Sequence, residues 1–149
     1  MKSINKIWMA ALMVFVMASC GDSYDDYEIK KTSVHGVSGQ WIVDYTYQGN
    51  VIAHHARIDI YNTAANDGTA WVDEHDAVVG GFKVKVTTAG DEFSVSNGLD
   101  LINDPDMITI PDGQIIDSDS INFSVIFIYD DGTPNDTIGI AGNIYNGFE

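Results

Sequence analysis

Phe82-Lys83-Val84-Lys85-Val86-Thr87 decides the fold class of this chain, because it alternates large apolar and polar side chains without a break. Successive side chains of a β-strand point to opposite faces of the sheet, so this period of two predicts a half-buried strand. The two lysines mark the solvent-exposed face. We therefore expect Phe82, Val84 and Val86 to point towards the core.

Similar strand-forming segments follow one another from residue 39 onwards. Turn signals rich in glycine, aspartate and asparagine separate them, for example Asn66-Asp67-Gly68 and Pro111-Asp112-Gly113. We predict strands at residues 39–48, 56–63, 69–73, 82–87, 93–96, 107–110, 114–117, 121–129 and 137–145, with a loop at 97–105. Short strands at such close spacing are typical of an antiparallel barrel or sandwich.

A barrel explains this pattern better than an open sheet. No stretch of the domain has a sustained apolar period of 3.6 residues, so no long helix is available to cover a sheet face. Closing the sheet on itself removes both the bare face and the unpaired edges. The sequence favours an all-β, antiparallel up-and-down barrel of about eight strands, with a β-sandwich as the alternative. Ile126 and Ile128 make the second face of their strand apolar as well, which requires some cover.

The N-terminus carries a targeting signal. Lys2 and Lys6 precede an uncharged run at residues 7–17, whose helix length of roughly 17 Å is too short for a hydrocarbon core of about 30 Å. Met17-Ala18-Ser19-Cys20 then resembles the lipobox of bacterial lipoproteins, whose cysteine is acylated and becomes the mature N-terminus. The resemblance implies a signal peptide at 1–19 and a lipid anchor on Cys20 in the outer membrane of the cell envelope. An ordinary secretory signal with a chance cysteine is the alternative.

Residues 20–35 contain the lipidated cysteine and an acidic stretch without strand or helix periodicity, which predicts a flexible tether. The acidic cluster behind Cys20 also resembles the surface-export signal of lipoproteins in some gut Gram-negative bacteria, although a solvated spacer has the same composition. Residues 36–149 then form a single domain, long enough to bury a core of its own.

The chain is strongly acidic, with 7 Lys+Arg, 22 Asp+Glu and a formal net charge of −15. Loss of Lys2 and Lys6 with the signal peptide leaves 5 basic and 22 acidic residues, a formal charge of −17. This excess repels phosphate backbones and anionic lipid head groups, which argues against nucleic acid as a partner. Cys20 is the only cysteine, so no internal disulfide can form. The sequence does not indicate an oligomeric state.

Two motifs resemble known families. Gly39-Gln40-Trp41 is similar to the Gly-x-Trp of lipocalins and other calycins, whose tryptophan packs across the base of the barrel. Residues 81–86, 119–123 and 142–148 together resemble the lipid-binding putative hydrolases, a family of gut bacterial lipoproteins. The resemblance implies a lipocalin-like barrel that binds a small apolar or amphipathic, lipid-like ligand. It implies no catalytic residue.

The ligand-site candidates are the large side chains that share inward parity. They are Trp41, Val43, Tyr45, Phe82, Val84, Val86, Phe123, Val125 and Phe127. An eight-stranded barrel has room either for packed side chains or for one small ligand, so these residues form a filled core or line a cavity.

The sequence offers little evidence for catalysis. It has no Gly-x-Ser-x-Gly elbow, no His-Glu-x-x-His and no glycine-rich phosphate loop, and we predict neither a cofactor nor a catalytic residue. A hydrolase rests on the family name alone. His54 and His55 are adjacent and point to opposite faces of a strand, with His54 inward by the parity of Ile58 and Ile60.

Two acidic segments are weak metal candidates. Asp73, His75 and Asp76 could form a metal corner, although such a cluster between strands is usually a solvated loop. Calcium ligands could come from the turns, although turns favour aspartate anyway. The residues concerned are Asp117, Asp119, Asp130, Asp131, Asn135 and Asp136.

A second class of function is a surface interaction or glycan-binding module. It would use exposed aromatic side chains, for which the candidates are Tyr45, Tyr47, Tyr61 and Trp71.

Overall fold

The computed structural model describes residues 32–76, 78–129, 132 and 134–147, which form a closed barrel of eight antiparallel strands. The strands are β1 (Gly39–Tyr47), β2 (Asn50–Asn62), β3 (Thr69–Glu74), β4 (Phe82–Ala89), β5 (Glu92–Leu99), β6 (Met107–Ile116), β7 (Ser120–Ile128) and β8 (Pro134–Ile144). Each strand pairs with the next in the chain, and β8 pairs with β1. The predicted up-and-down barrel is confirmed, and the alternative β-sandwich is not formed.

The inward-facing side chains of all eight strands meet in one core. In β4 the alternation places Phe82, Val84 and Val86 in the core, while Lys85 is exposed. Trp41, Val43 and Tyr45 point inward from β1 in the same way. The period of two seen in the sequence therefore separates the interior of the barrel from its outer face.

A short turn at residues 32–37 covers one end of the barrel. Val34 and Val37 are fully buried in the core. The Ser33 hydroxyl donates to Asn66 and accepts from the backbone N–H of Gly68, which ties the turn to the β2–β3 connection. We call this the closed end. The opposite end, which we call the rim, is where β1, β3, β5 and β7 end and β2, β4, β6 and β8 begin.

The folded domain begins earlier than the sequence predicts. Because Val34 is a core residue, the predicted tether at 20–35 must end before it. The sequence did not predict this, because Val34 lies among polar residues and the segment has no strand or helix periodicity. Cys20 and the predicted signal peptide at 1–19 lie outside the described residues. In the part of the chain that is described, no helix is long and apolar enough to cross a membrane.

β6 is one strand, whereas the sequence predicts two strands joined by a turn at Pro111-Asp112-Gly113. A bulge lies at this point: Thr109 pairs with Ile126 and Gln114 with Asn122, so β6 has one residue more than β7. Pro111 is tolerated in this bulge, because proline has no backbone N–H and a residue in a bulge need not donate a hydrogen bond to the neighbouring strand. The Asp112 carboxylate instead accepts the backbone N–H of Ser124 at 2.8 Å.

The prediction that His54 points inward was wrong, because a second bulge lies in β2. Val43 pairs with Ala56 and Tyr45 with Ala53, so β2 takes three steps where β1 takes two. The backbone of His55 adopts a φ of 58° within this bulge. Because one residue is added, the parity of β2 reverses and His54 is exposed rather than inward.

Glycine is required where the barrel closes. Gly142 of β8 faces Val43 of β1, and a Cβ atom built on it would lie 2.0 Å from the Ile42 carbonyl oxygen. Only a residue without a side chain therefore permits the close approach of the two backbones.

Trp41 is the residue at which the stability of the barrel can be tested. Its exposed fraction is 1%, and truncation of a buried tryptophan typically costs about 3 to 5 kcal/mol. We expect Trp41→Ala to lower the free energy of unfolding by about this amount in a denaturant titration. Trp71→Ala, on the partly exposed outer face, is the matched control and should cost less than half as much. Equal losses in the two variants would contradict the core position of Trp41.

Candidate functional site

The nine predicted ligand-site residues all lie inside the barrel. β1, β4 and β7 supply three each, so strands distant in sequence bring them into one cluster. The aromatic rings contact each other edge to face. Ring centroids are 5.9 Å apart for Phe82 and Phe127, and 5.3 Å apart for Phe93 and Phe123.

These side chains fill the space between them. Eight of the nine have an exposed fraction of 1% or less, and Phe127 has 8%. The side chains that line a cavity large enough for an alkyl chain would be partly accessible to a water molecule. Since these side chains are not, the structure shows a packed core at these positions. That these residues bind a ligand stays a prediction, and binding there would require the core to open.

Several buried polar groups interrupt this apolar interior. Trp41 Nε1 and the Tyr45 hydroxyl are buried and have no hydrogen-bond partner among the described residues. The Glu74 carboxylate is also buried, and its Oε1 accepts the backbone N–H of Asp76 at 2.9 Å. Burial, and then the negative charges of Glu74 and Asp76, raise the pKa of the Tyr45 phenol. Tyr45 therefore stays neutral at every physiological pH.

A row of apolar side chains lies on the outer face at the rim. Leu99 of β5 pairs with Met107 of β6, Met107 pairs with Ile128 of β7, and Ile128 pairs with Pro134 of β8. Paired residues share a face of the sheet, so these four side chains are neighbours across four strands.

Three residues of this row, Met107, Ile128 and Pro134, line a concave surface, which we call the rim groove. Pro105 and Tyr129 join Met107, Ile128 and Pro134 around a volume of about 450 Å³. Leu101 and Ile102, in the loop that follows β5, are also half exposed. Exposed apolar groups that are adjacent in this way are typical of binding surfaces.

The rim loop at 100–106 is held by one buried carboxylate. Asp100 accepts the backbone N–H groups of Lys83 at 3.1 Å and of Ile102 at 2.9 Å, and its second oxygen accepts from the Asn103 amide at 2.8 Å. Asn103 also donates to the Gly81 carbonyl at 2.7 Å. These bonds tie the loop to the start of β4, so the apolar side chains beside Asp100 are held outward.

Sequence reasoning missed the rim, because it predicts only a loop at residues 97–105 and assigns no site to it, whereas β5 extends to Leu99. The signal that could have found it is the density of large apolar residues within a predicted loop, namely Leu99, Leu101 and Ile102.

Two other grooves lie on the outer surface. One of about 600 Å³ crosses β1, β7 and β8 and reaches residues of β2 and β6. Its lining combines polar residues such as Asp44 and Asn122 with apolar residues such as Ile42 and Ile116. The other, of about 360 Å³, lies between β4, β5 and β6 beside Phe93 and Asp112. Both are more polar than the rim groove.

The family of the chain follows from a comparison with family models. A model described as lipid-binding putative hydrolase matches residues 26–149, which is most of the chain and all of the barrel. The chain belongs to this family. No curated protein matches the chain. The resemblance seen in the sequence is therefore confirmed, and the closed barrel is the fold of this family member.

The hydrolase half of the family name prompts a search for acid–base groups. Two imidazole–carboxylate pairs lie on the outer face, His54 Nδ1 with Asp44 and His75 Nε2 with Asp59, each at 3.0 Å. The backbone N–H of His55 and then the His54 ring lower the pKa of Asp44. In the described part of the chain no serine or threonine hydroxyl is hydrogen-bonded to either imidazole, whereas a nucleophilic triad contains such a bond.

The weak metal candidates do not converge. Asp73 pairs with Lys83, His75 pairs with Asp59, and Asp76 accepts the backbone N–H of Arg57. Among the residues that the structure describes, no group of three or more His, Cys, Asp or Glu side chains is placed to hold a metal ion. Of the possible calcium ligands, Asp130 and Asp131 and the side chains of Asn135 and Asp136 lie outside the description.

The predicted aromatic surface is only partly formed. Tyr45 is buried, so its prediction as an exposed aromatic was wrong. Tyr47 is partly exposed. Tyr61 and Trp71 are paired across β2 and β3, and the Lys83 ammonium lies over both rings at 5.2 and 5.7 Å from their centroids. The lysine occupies the ring faces on which a sugar would stack.

Lys83 also sets the charge state of its neighbour. Burial by itself raises the pKa of Asp73, but the hydrogen bonds from Lys83 and Tyr61 outweigh burial and leave that pKa below its usual range. The carboxylate lies 2.9 Å from the ammonium and 2.8 Å from the phenol oxygen. The ion pair therefore stabilises the fold only while Asp73 is ionised.

We predict that Lys83→Met lowers the free energy of unfolding by about 1 kcal/mol at pH 7. A carboxylate with a lowered pKa stabilises the fold above the pKa of an unfolded aspartate, about 3.9, and loses this effect as the pH falls through its folded value. The difference between Lys83→Met and the native chain should therefore shrink below that pH in denaturant titrations. Lys85→Met, exposed on the same strand, is the control and should show a smaller difference at pH 7. A Lys83→Met difference that stays constant down to pH 2 would contradict this role.

Proposed function

We propose that the protein is a lipid-anchored binding protein of the cell envelope, whose barrel binds a small apolar or amphipathic molecule. The observation that carries this proposal is membership of a lipid-binding family over residues 26–149. The barrel gives a stable scaffold, and the described part of its surface offers an apolar groove without a nucleophilic triad.

Binding is favoured over hydrolysis by the chemistry of the described residues. The two histidine–aspartate pairs lack a hydroxyl partner, and the only cysteine of the chain is the predicted acylation site. A glycan-binding surface receives less support, because Lys83 covers the paired rings of Tyr61 and Trp71. An apolar ligand needs neither a nucleophile nor a free aromatic face.

Anchoring is supported by the sequence around Cys20. A basic start, a short apolar run and a small-residue triplet precede this single cysteine. Two or more acyl chains on one cysteine would hold the protein at the membrane effectively permanently.

We expect Cys20→Ala to move the protein from the membrane fraction to soluble extracts, or to leave an unprocessed precursor. Fractionation of cells grown with a labelled fatty acid measures both outcomes. Ser19→Ala keeps a small residue before the cysteine and is the control, with label and membrane fraction unchanged. An unlabelled native chain would remove the basis for the anchor.

Ligand binding is tested with alkyl alcohols and fatty acids of increasing chain length. Each methylene buried contributes about 0.8 kcal/mol, so the affinity should rise about fourfold per methylene until the groove is full. Calorimetric titration of residues 21–149 measures this rise, and tryptophan fluorescence of Trp41→Phe and Trp71→Phe variants shows whether the interior or the outer face responds. Flat titrations at every chain length would contradict the proposed function.

A further inference from the structure

We propose that the rim groove, rather than the barrel interior, is the ligand site, and that it takes the alkyl chain of a single amphiphile whose head group carries no negative charge. This proposal rests on the proposed function and adds to it the place of binding and the class of ligand. Packing, rigidity and charge each support it.

The packing of the interior leaves the outside of the barrel as the accessible apolar surface. The inward side chains of β1, β4 and β7 are almost completely buried against each other. Met107 and Tyr129, by contrast, are 42% and 47% exposed and border a concave volume of about 450 Å³. This volume lies in the range of small-molecule sites, and it can be reached without opening the core.

The groove is also preorganised. Met107, Ile128 and Pro134 are held by the pairing of β6, β7 and β8, and the Asp100 hydrogen bonds hold the neighbouring loop. A rigid apolar surface loses little conformational freedom when a ligand binds, so more of the burial energy appears as affinity.

The charges around the barrel select the head group. The lysine and arginine residues of the described chain are Arg57, Lys83 and Lys85, all on β2 and β4, and none of them lines the groove. Lys83 is already paired with Asp73 at 2.9 Å. Asp104 and Asp106 lie in the rim loop itself, and the net charge of the chain is −15. An uncharged or cationic head group therefore fits this surface, whereas a carboxylate is repelled.

A single amphiphile fits better than a bilayer. The groove is concave and small, so it takes one alkyl chain, and the acidic charge of the chain repels the anionic head groups of a bilayer surface. Thr32, the first described residue, belongs to the turn at the closed end, opposite the rim.

The test uses the full chain, anchored in phosphatidylcholine nanodiscs, and three photoreactive probes of equal alkyl length. Their head groups are a hydroxyl, a trimethylammonium and a carboxylate, and a diazirine on the alkyl chain records the residues contacted. We expect labelling around Met107 and Tyr129 that unlabelled dodecanol displaces. The hydroxyl and trimethylammonium probes should label these residues at least about fivefold more than the carboxylate probe, with a smaller ratio at high salt.

Matched variants locate the site. Met107 and Ile116 lie at opposite ends of β6, with exposed fractions of 42% and 41%. We expect Met107→Asp to reduce displaceable labelling at least about tenfold, because it removes apolar contact and adds a negative charge, and Ile116→Asp to leave it unchanged. Tyr129→Ser, outside any strand, should give a similar loss of labelling. It replaces Met107→Asp as the test if circular dichroism shows that Met107→Asp does not fold.

Each remaining outcome overturns a defined part of the proposal. Displaceable labelling of Trp41 or Phe123 would move the site to the interior and leave the proposed function intact. Loss of labelling in Ile116→Asp alone would move it to the groove across β1, β7 and β8. Equal labelling by the carboxylate probe would reject the head-group preference, and rim labelling by a diazirine phosphatidylcholine that dodecanol does not displace would indicate bilayer docking. No displaceable labelling with any probe would reject the proposed function as well.

Discussion

Closure of the sheet through the pairing of β1 with β8 is the constraint on which the rest of this structure depends. Gly142 allows the two backbones to meet, and the seam joins residues about 100 positions apart in the chain. Once the seam is formed, every strand has two neighbours and no edge remains unpaired. The inward side chains of all strands are then forced into one space, which they fill without a helix.

A filled interior changes where a lipid-binding protein of this family can act. In a barrel with a cavity, the inward-facing side chains would contact the ligand, and the outward-facing side chains would keep the protein soluble. Here the inward row provides the stability, as the contacts between Phe82 and Phe127 and between Phe93 and Phe123 show. Apolar surface that stays accessible lies outside, and part of it is at the rim, where β5 and β7 end and β6 and β8 begin.

The polar groups of the chain are used mainly to shape loops and bulges. Asp112 replaces a ladder bond at the β6 bulge, Asp44 holds the backbone of the β2 bulge at His55, and Asp100 holds the rim loop. Carboxylates do this well because each can accept several N–H groups. Many of the acidic residues that first suggest metal or acid–base chemistry are therefore explained by backbone hydrogen bonds and ion pairs.

The sequence by itself determined the strand content, the inward faces of β1, β4 and β7, and the family, because these depend on local alternation and on motifs that are continuous in the chain. It favoured a barrel over a sandwich, and the pairing of β8 with β1 decided between the two. It could not determine the two bulges, which reverse the orientation of His54 and merge two predicted strands into β6, because a bulge is defined by the register of a partner strand. It also could not show whether the interior is empty or filled, since that depends on how far side chains from distant strands reach across the barrel. The rim groove was decided only by tertiary structure, because Met107, Ile128 and Pro134 become neighbours through the pairing of β6, β7 and β8.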